Sequence, residues 1–167
     1  KNVTTLAMAT TLAVGTLAGC QTTPSVTAPT AQPLTVDALE AHNWQLVDAK
    51  RVNGEKVTQL FTMPNNPLTL NFFKDNGNQR VSFMNTCNNI GGTYRIVNNN
   101  VQLGNVISTM KACPEPQASF DTATMATVQG KYSLNKNANN VPILTIRNDN
   151  QVAHFKAVAV STILCCL

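Results

Sequence analysis

The feature that most limits what this chain can become is its punctuation. Short runs with apolar residues at alternate positions are cut by asparagine-rich breaks: Asn53-Gly54, Asp75-Asn76-Gly77, Asn98-Asn99-Asn100, and the stretches 137–140 and 148–150. Asparagine, aspartate and glycine tolerate the left-handed backbone that tight hairpins require. Between the breaks, Leu68-Thr69-Leu70-Asn71-Phe72 alternates with period two, which turns one face inward and leaves the other wet. Further strands are expected at 44–47, 80–84, 93–97, 101–103, 131–134, 143–147 and 152–160. Asn53-Gly54 is the strongest short hairpin signal, and it predicts a return strand over 55–60.

Two segments break the β pattern. Residues 36–41 suit a short helix, with Thr35 or Asp37 as its cap. Residues 115–129 place Phe120, Met125 and Val128 on one helical face, with Pro114 or Pro116 at the start and Gly130 at the end. The fold class expected is mainly β (α+β): a small antiparallel, barrel-like meander of about eight strands with one helix inserted, closed or nearly closed so that no long edge stays open. Charged residues make up only 12% of the chain while Asn, Thr and Val are heavily used, which suits an exported β protein wetted by amides and hydroxyls. The basic residues are scattered and form no stripe for nucleic acid, so no nucleic-acid partner is expected.

The first 20 residues read as an address. Lys1 is followed by an uncharged stretch of small and aliphatic residues, too short and too rich in Thr and Ala for a membrane span of ~20 apolar residues. It suits the apolar region of a secretory signal. The stretch closes on Leu17-Ala18-Gly19-Cys20, which resembles the bacterial lipobox. The resemblance implies that residues 1–19 are a signal peptide and that the Cys20 thiol carries a covalent lipid. That lipid is the only cofactor expected, and it makes a membrane the first partner. Residues 20–35, rich in Thr, Pro and Ala, are read as a flexible tether to a domain over 36–160. Gln21 stands where an Asp would imply retention at the inner membrane, so the same resemblance implies sorting to the outer membrane. In the closing segment 161–167, adjacent Cys165 and Cys166 are poor partners for each other. A core role, an intermolecular link and a sequence-end artefact all stay open for them.

Two further cysteines lie inside the expected domain. Cys87 and Cys113 are its only internal pair, and an exported protein folds where disulfides persist. A bridge across their separation would contribute about 3–4 kcal/mol in the chain-entropy account. Each sits in a distinctive run: Cys87-Asn88-Asn89-Ile90-Gly91-Gly92-Thr93-Tyr94, and Ser108-Thr109-Met110-Lys111-Ala112-Cys113. Together, and with Trp44 near the domain start, these runs resemble the META domain of the heat-shock protein HslJ family over roughly residues 39–160. Cys87, Asn88, Ile90, Gly92 and Tyr94 fall on the family's first pattern; Thr109, Met110, Ala112 and Cys113 fall on its second, with Lys111 intervening. Gly91-Gly92 permits a positive φ or a close backbone approach, and Asn88 suits an Asx turn. The motif residues Asn88, Gly92, Tyr94, Thr109, Met110 and Lys111 are the candidate family site. Asn88, Thr109, Lys111 and Arg95 are the surface that a binding reading would use.

No catalytic arrangement is legible. Ser108 and Ser119 have no nucleophile-elbow setting, and the eight acids form no readable pair. With no Cys-x-x-Cys and only His42 and His154, a zinc site of four clustered ligands is not expected. The expectation is a protein without enzymatic activity. The resemblance sets it among outer-membrane lipoproteins linked to envelope maintenance and to heat or antibiotic (novobiocin) tolerance. A second reading is a binding module for an apolar ligand or an envelope partner, since META-type folds have been likened to secretion-system pilot lipoproteins; a cavity lined by Phe72, Phe83, Ile90 and Leu103 would favour it. A third is a periplasmic hydrolase inhibitor acting through the loop 62–67.

Overall fold

The computed structural model describes residues 28–160; the expected signal peptide, Cys20, most of the segment read as tether and the 161–167 segment lie outside the described residues. In chain order the elements are β1 (Thr30–Gln32), α1 (Val36–Glu40), β2 (Asn43–Arg51), a 3-10 turn (Thr58–Phe61), β3 (Thr69–Asp75), β4 (Asn78–Met84), β5 (Ile90–Val97), β6 (Asn100–Leu103), β7 (Ile107–Ser108), α2 (Gln117–Val128), β8 (Lys131–Lys136), β9 (Pro142–Arg147) and β10 (Gln151–Val158). The strands make one antiparallel sheet in the order β1-β8-β9-β10-β2-β3-β4-β5-β6, with β7 added to the start of β5. Among the described residues, no helix is long and apolar enough to cross a membrane.

The asparagine turns do what their chemistry suggests. Asn76 and Gly77 have φ of 49° and 83°, and Asn98 and Asn99 have 50° and 56°. Two successive left-handed residues match the right-handed twist of the flanking strands, so β3–β4 and β5–β6 close as tight hairpins. The Asn53-Gly54 turn also forms, but the strand expected after it does not. Only Lys56 bridges back, to Lys50, before the chain winds into the 3-10 turn. Val57 and Leu60 are the buried residues there, and their spacing of three suits a helical turn rather than a strand.

The sheet is mainly β as expected, but it is not a closed barrel. No ladder joins β6 to β8. Instead, Tyr132 N–H of β8 donates to Asn100 Oδ1 of β6 at 2.8 Å, and Leu34 N–H donates to Asn99 Oδ1 at 2.7 Å. β6 is only four residues long, and part of the β8 edge is already taken by β1, paired as Thr30↔Lys136 through Gln32↔Leu134. Side-chain amides of the β5–β6 turn therefore hold the two edges together where a ladder is missing. β1 belongs to the segment read as tether. Its end is folded in: Leu34 is buried, and the Thr35 hydroxyl accepts from Ala38 N–H at 3.1 Å as the cap of α1.

The core lies on the concave face of the sheet. Trp44, Phe72, Phe83, Phe120, Tyr132 and Phe155 are all fully or almost fully buried. The Trp44 indole N–H donates to Leu39 O at 2.9 Å, which seats α1 over the sheet. Phe72 meets Tyr94 edge-to-face at 5.0 Å, a favoured aromatic geometry. On α2, Phe120 and Val128 are buried and Met125 is half-buried; Asp121, Thr124 and Thr127 complete the inward face. Gln151 Nε2 donates to Thr127 Oγ1 at 2.6 Å, and Asn148 Nδ2 donates to Ala126 O and Gln129 O at 3.0 Å each. The two Asn148 bonds satisfy carbonyls that the helix end leaves open. Gly130 does not end α2 through a positive φ; it lets the chain pass Arg147, whose carbonyl oxygen would lie 2.6 Å from an added Cβ.

Two predictions follow from this packing. Gly91 and Gly92 serve close approach: a Cβ on Gly92 would sit 2.9 Å from Asn105 O and 3.3 Å from Val106 Cα. Gly92→Ala is expected to lower stability by about 1–3 kcal/mol in urea unfolding, as overpacking does. The second concerns the tyrosines, of which the chain has two. Burial pushes Tyr132 far above the usual phenol range. Burial, then the Glu40 charge and its hydrogen bond, do the same for Tyr94. The folded state thus keeps protons that the unfolded chain releases near pH ~10. Stability from these groups is intact below that pH and is lost as the pH climbs above it. In an alkaline titration, tyrosinate absorbance should rise only together with unfolding.

Candidate functional site

The two cysteine runs meet where α2 crosses the sheet end. Cys87 lies in the 85–89 loop between β4 and β5. That loop opens on Asn85, whose φ of 70° turns the chain and whose Nδ2 donates to Pro67 O at 2.8 Å. Cys113 lies between β7 and α2. The two are joined as a disulfide with Cα atoms 6.2 Å apart.

Beside the disulfide sits Asp121 of α2, 8% exposed. Its Oδ1 accepts from Cys87 N–H at 2.9 Å; its Oδ2 accepts from Asn88 N–H at 2.8 Å and from Asn88 Nδ2 at 3.1 Å. Two loop amides that face no strand partner are thereby satisfied, and the carboxylate charge is met by N–H dipoles.

Asn88 is the second hub. Its Oδ1 accepts from Lys111 N–H at 2.7 Å and from Thr109 Oγ1 at 3.0 Å. Its Nδ2 also reaches Lys111 O at 3.3 Å and Cys113 Sγ at 3.1 Å, so two N–H bonds are shared among three acceptors. Thr109 closes the ring: its hydroxyl accepts from Asn89 N–H at 3.0 Å, and its own N–H donates to Asn89 O at 3.1 Å. The 85–89 loop, the 109–113 segment and α2 are thus laced together by one disulfide, one carboxylate and one amide.

The expected site residues divide. Asn88, Thr109, Lys111, Cys87 and Cys113 come together. Gly92 and Tyr94 are buried in β5, and the Tyr94 hydroxyl donates to Glu40 Oε1 at 3.2 Å, away from the knot. Arg95 does not join Asn88 and Lys111; its Nε donates to Gln102 Oε1 on β6 at 3.0 Å. Met110 stands out from the knot, 99% exposed, and Ile107 is 62% exposed on the same stretch. Phe72, Phe83 and Ile90 are buried in the core rather than open to a ligand, while Leu103 lines a shallow surface cleft with Arg95 and Gln102. The 62–67 loop is tied down at its end, where Pro67 O also accepts from Thr69 Oγ1 at 3.0 Å.

Asp121 is the site residue that no sequence motif singles out. It had no acidic partner nearby and stood as one acid among eight. The signal was its place in the helix: 121, 124 and 128 fall at i, i+3 and i+7, so the carboxylate had to point inward. Cys87, Cys113 and Asp121 also place their ligand-type atoms within 4.8 Å of one another. As a disulfide, however, the sulfurs are not thiolates and offer no strong metal bond.

The architecture defines a class: a curled antiparallel sheet with one helix strapped to it by a disulfide and a buried carboxylate, its motif residues bonded mostly to each other. The chain belongs to the META domain family, which matches residues 37–159. The NMR structure of a protein from Burkholderia xenovorans is similar, with a TM-score of 0.61 at 18% identity over 77% of this chain and 90% of that one. A second NMR structure aligns with a TM-score of 0.50 at 22% identity, over 74% of this chain and 94% of the other. These likenesses concern the fold. A comparison with curated proteins finds no match.

The knot predicts its own energetics. Asp121→Ala leaves the Cys87 and Asn88 N–H groups without an acceptor and should cost about 3 kcal/mol. Asn88→Ala strips more exposed partners and should cost about 1–2 kcal/mol. Because both side chains serve the same loop, the double variant should lose less than the two losses added. Urea unfolding of the four proteins of this cycle measures the coupling.

Proposed function

We propose that this chain is a lipid-anchored protein of a bacterial cell envelope, sorted to the outer membrane, whose META domain acts without catalysis in keeping the envelope intact under heat or antibiotic stress. The observation that carries the reading is the Asp121–Asn88 knot around the Cys87–Cys113 disulfide. It uses the family's polar motif residues for internal bonding, as a scaffold would, and it fits a compartment where disulfides persist. The lipobox-like end of the N-terminal stretch at Cys20 supports the anchor.

A second reading, a docking module for an envelope partner, draws support from Met110 and Ile107. Exposed apolar side chains on a segment fastened this firmly are presented at low entropic cost, which suits an interface anchor.

The anchor is tested in cells with the full precursor. Metabolic labelling with a fatty acid should mark the wild type and not Cys20→Ala, and only the wild type should fractionate with outer membrane. Equal labelling or equal fractionation of the two refutes the lipid reading. Loss of the gene should raise novobiocin and heat sensitivity, with rescue by the wild type; rescue by Cys20→Ala of equal strength would show that anchoring is dispensable.

A further inference from the structure

We propose that Cys87, Cys113 and Asp121 form a latent site for a soft divalent cation of the zinc class, closed while the disulfide stands and opened when it is reduced. The inference rests on the geometry of the knot and not on where the protein resides.

The ligand atoms are already gathered. All three lie within 4.8 Å of one another, and Cys113 Sγ stands 3.9 Å from Asp121 Oδ2. Two ligands bound tetrahedrally to one zinc ion, at about 2.3 Å for sulfur and about 2.1 Å for oxygen, lie about 3.6 Å apart. Oxygen and sulfur are thus within a few tenths of an ångström of coordination distance. Reduction frees the two sulfurs to part by side-chain rotation.

The surroundings favour the charged ligands. Asp121 is oriented by Cys87 N–H on Oδ1 and by Asn88 N–H on Oδ2. Asn88 Nδ2 also donates to Oδ2 at 3.1 Å, and this shared bond must pass to Cys113 Sγ to free an Oδ2 lone pair for the cation. Asn88 Nδ2 points at Cys113 Sγ from 3.1 Å and would stabilise a thiolate there. These are the outer contacts that fix metal ligands in place. Asp121 is buried while Cys87 and Cys113 are each half-buried, so the site has a protein wall and a solvent side. Three protein ligands leave a fourth position for water. Two thiolates select zinc or cadmium over calcium or magnesium.

The chemistry balances simply. A dithiol reductant gives two electrons and two protons to the Cys87–Cys113 bond and becomes a disulfide itself. The two thiols formed then lose their protons to solvent as the cation binds, so each ion taken up releases two protons. The cation offsets the like charges that two thiolates and the carboxylate would otherwise bring together, which couples loss of the thiol protons to metal binding.

The test uses the full chain with Cys20, Cys165 and Cys166 changed to Ser, so that only the internal pair reacts. The protein is reduced with a phosphine, freed of it under argon, and titrated with cadmium and with zinc. The expected result is one ion per chain, a thiolate-to-cadmium charge-transfer band, and two protons released into weak buffer. The oxidised protein and Cys113→Ser should show no such band. Asp121→Asn should weaken binding at least about tenfold. The near-ultraviolet signal of Trp44, the single tryptophan, reports whether each form stays folded. If Asp121→Asn does not fold, X-ray absorption of the zinc-loaded reduced chain decides instead: two sulfurs with oxygen supports the site, and a shell lacking sulfur overturns it. A reduced chain that binds no cation, or that unfolds instead of binding, also overturns it, and leaves the knot as a structural lock alone.

Discussion

The carboxylate of Asp121 is the contact on which the arrangement of the domain turns. α2 interrupts a meander of strands, and nothing in strand pairing tells a helix where to lie. Its apolar residues Phe120 and Val128 give it an inward side but little register. Register comes from Asp121, which must find partners once buried, because an unpaired buried charge is strongly unfavourable. The backbone N–H groups of Cys87 and Asn88 are those partners. Their demand is mutual: the 85–89 loop leaves the β4–β5 ladder and would otherwise bury orphan donors. The disulfide adds a covalent limit on the same approach, and Asn88 passes the constraint on to 109–111.

Asparagine plays a comparable part on the far side of the sheet. A curled sheet of short strands leaves two edges exposed, and edges invite pairing with other chains. Here Asn98 and Asn99 shape the tight β5–β6 turn with their left-handed backbone, and the side chains of Asn99 and Asn100 capture the N–H groups of Leu34 and Tyr132 across the gap. Asn148 works the same way at the β9–β10 turn, accepting from Asn150 and Gln151 N–H while its amide donates to the end of α2. A chain poor in charge has used amides for turns, for caps and for joining edges at once.

What the sequence made legible follows from the range of the forces involved. Alternation and turn chemistry are local, so 68–72, 80–84, 93–97, 101–103 and 143–147 fell inside observed strands or overlapped them closely. The α1 cap was readable to a choice of two residues, and Thr35 took it. The disulfide was readable because the cysteine count left one internal pair in the expected domain. What was not legible depends on contacts between distant segments. β1 and β7 are three and two residues long and carry no period. The open seam depends on β6 ending after four residues and on β1 occupying its place on β8. Gly91, Gly92 and Gly130 answer to neighbouring backbone, which no local pattern shows. Asp121 was visible only as a charge on the wrong face of a helix.

The seam also bears on how the proposed anchor would meet the domain. Read as a free linker, residues 21–35 would let the domain stand about 50 Å from a membrane at ~3.3 Å per residue. β1 removes the end of that reach. Thr30–Gln32 pairs with β8, Leu34 is buried, and Thr35 caps α1. The stretch left between Cys20 and the first paired residue spans at most about 30 Å when extended. The chain would then enter the domain at the β8 edge, next to the join made by Asn99 and Asn100, and not at a loosely attached terminus. A lipid on Cys20 would keep that edge toward the membrane and within a few nanometres of it. Because β1 is short and lies at the sheet margin, its three-residue ladder is the first paired segment that a lipid on Cys20 would load. A pull on the tether would be felt there before it reached Trp44 or the disulfide.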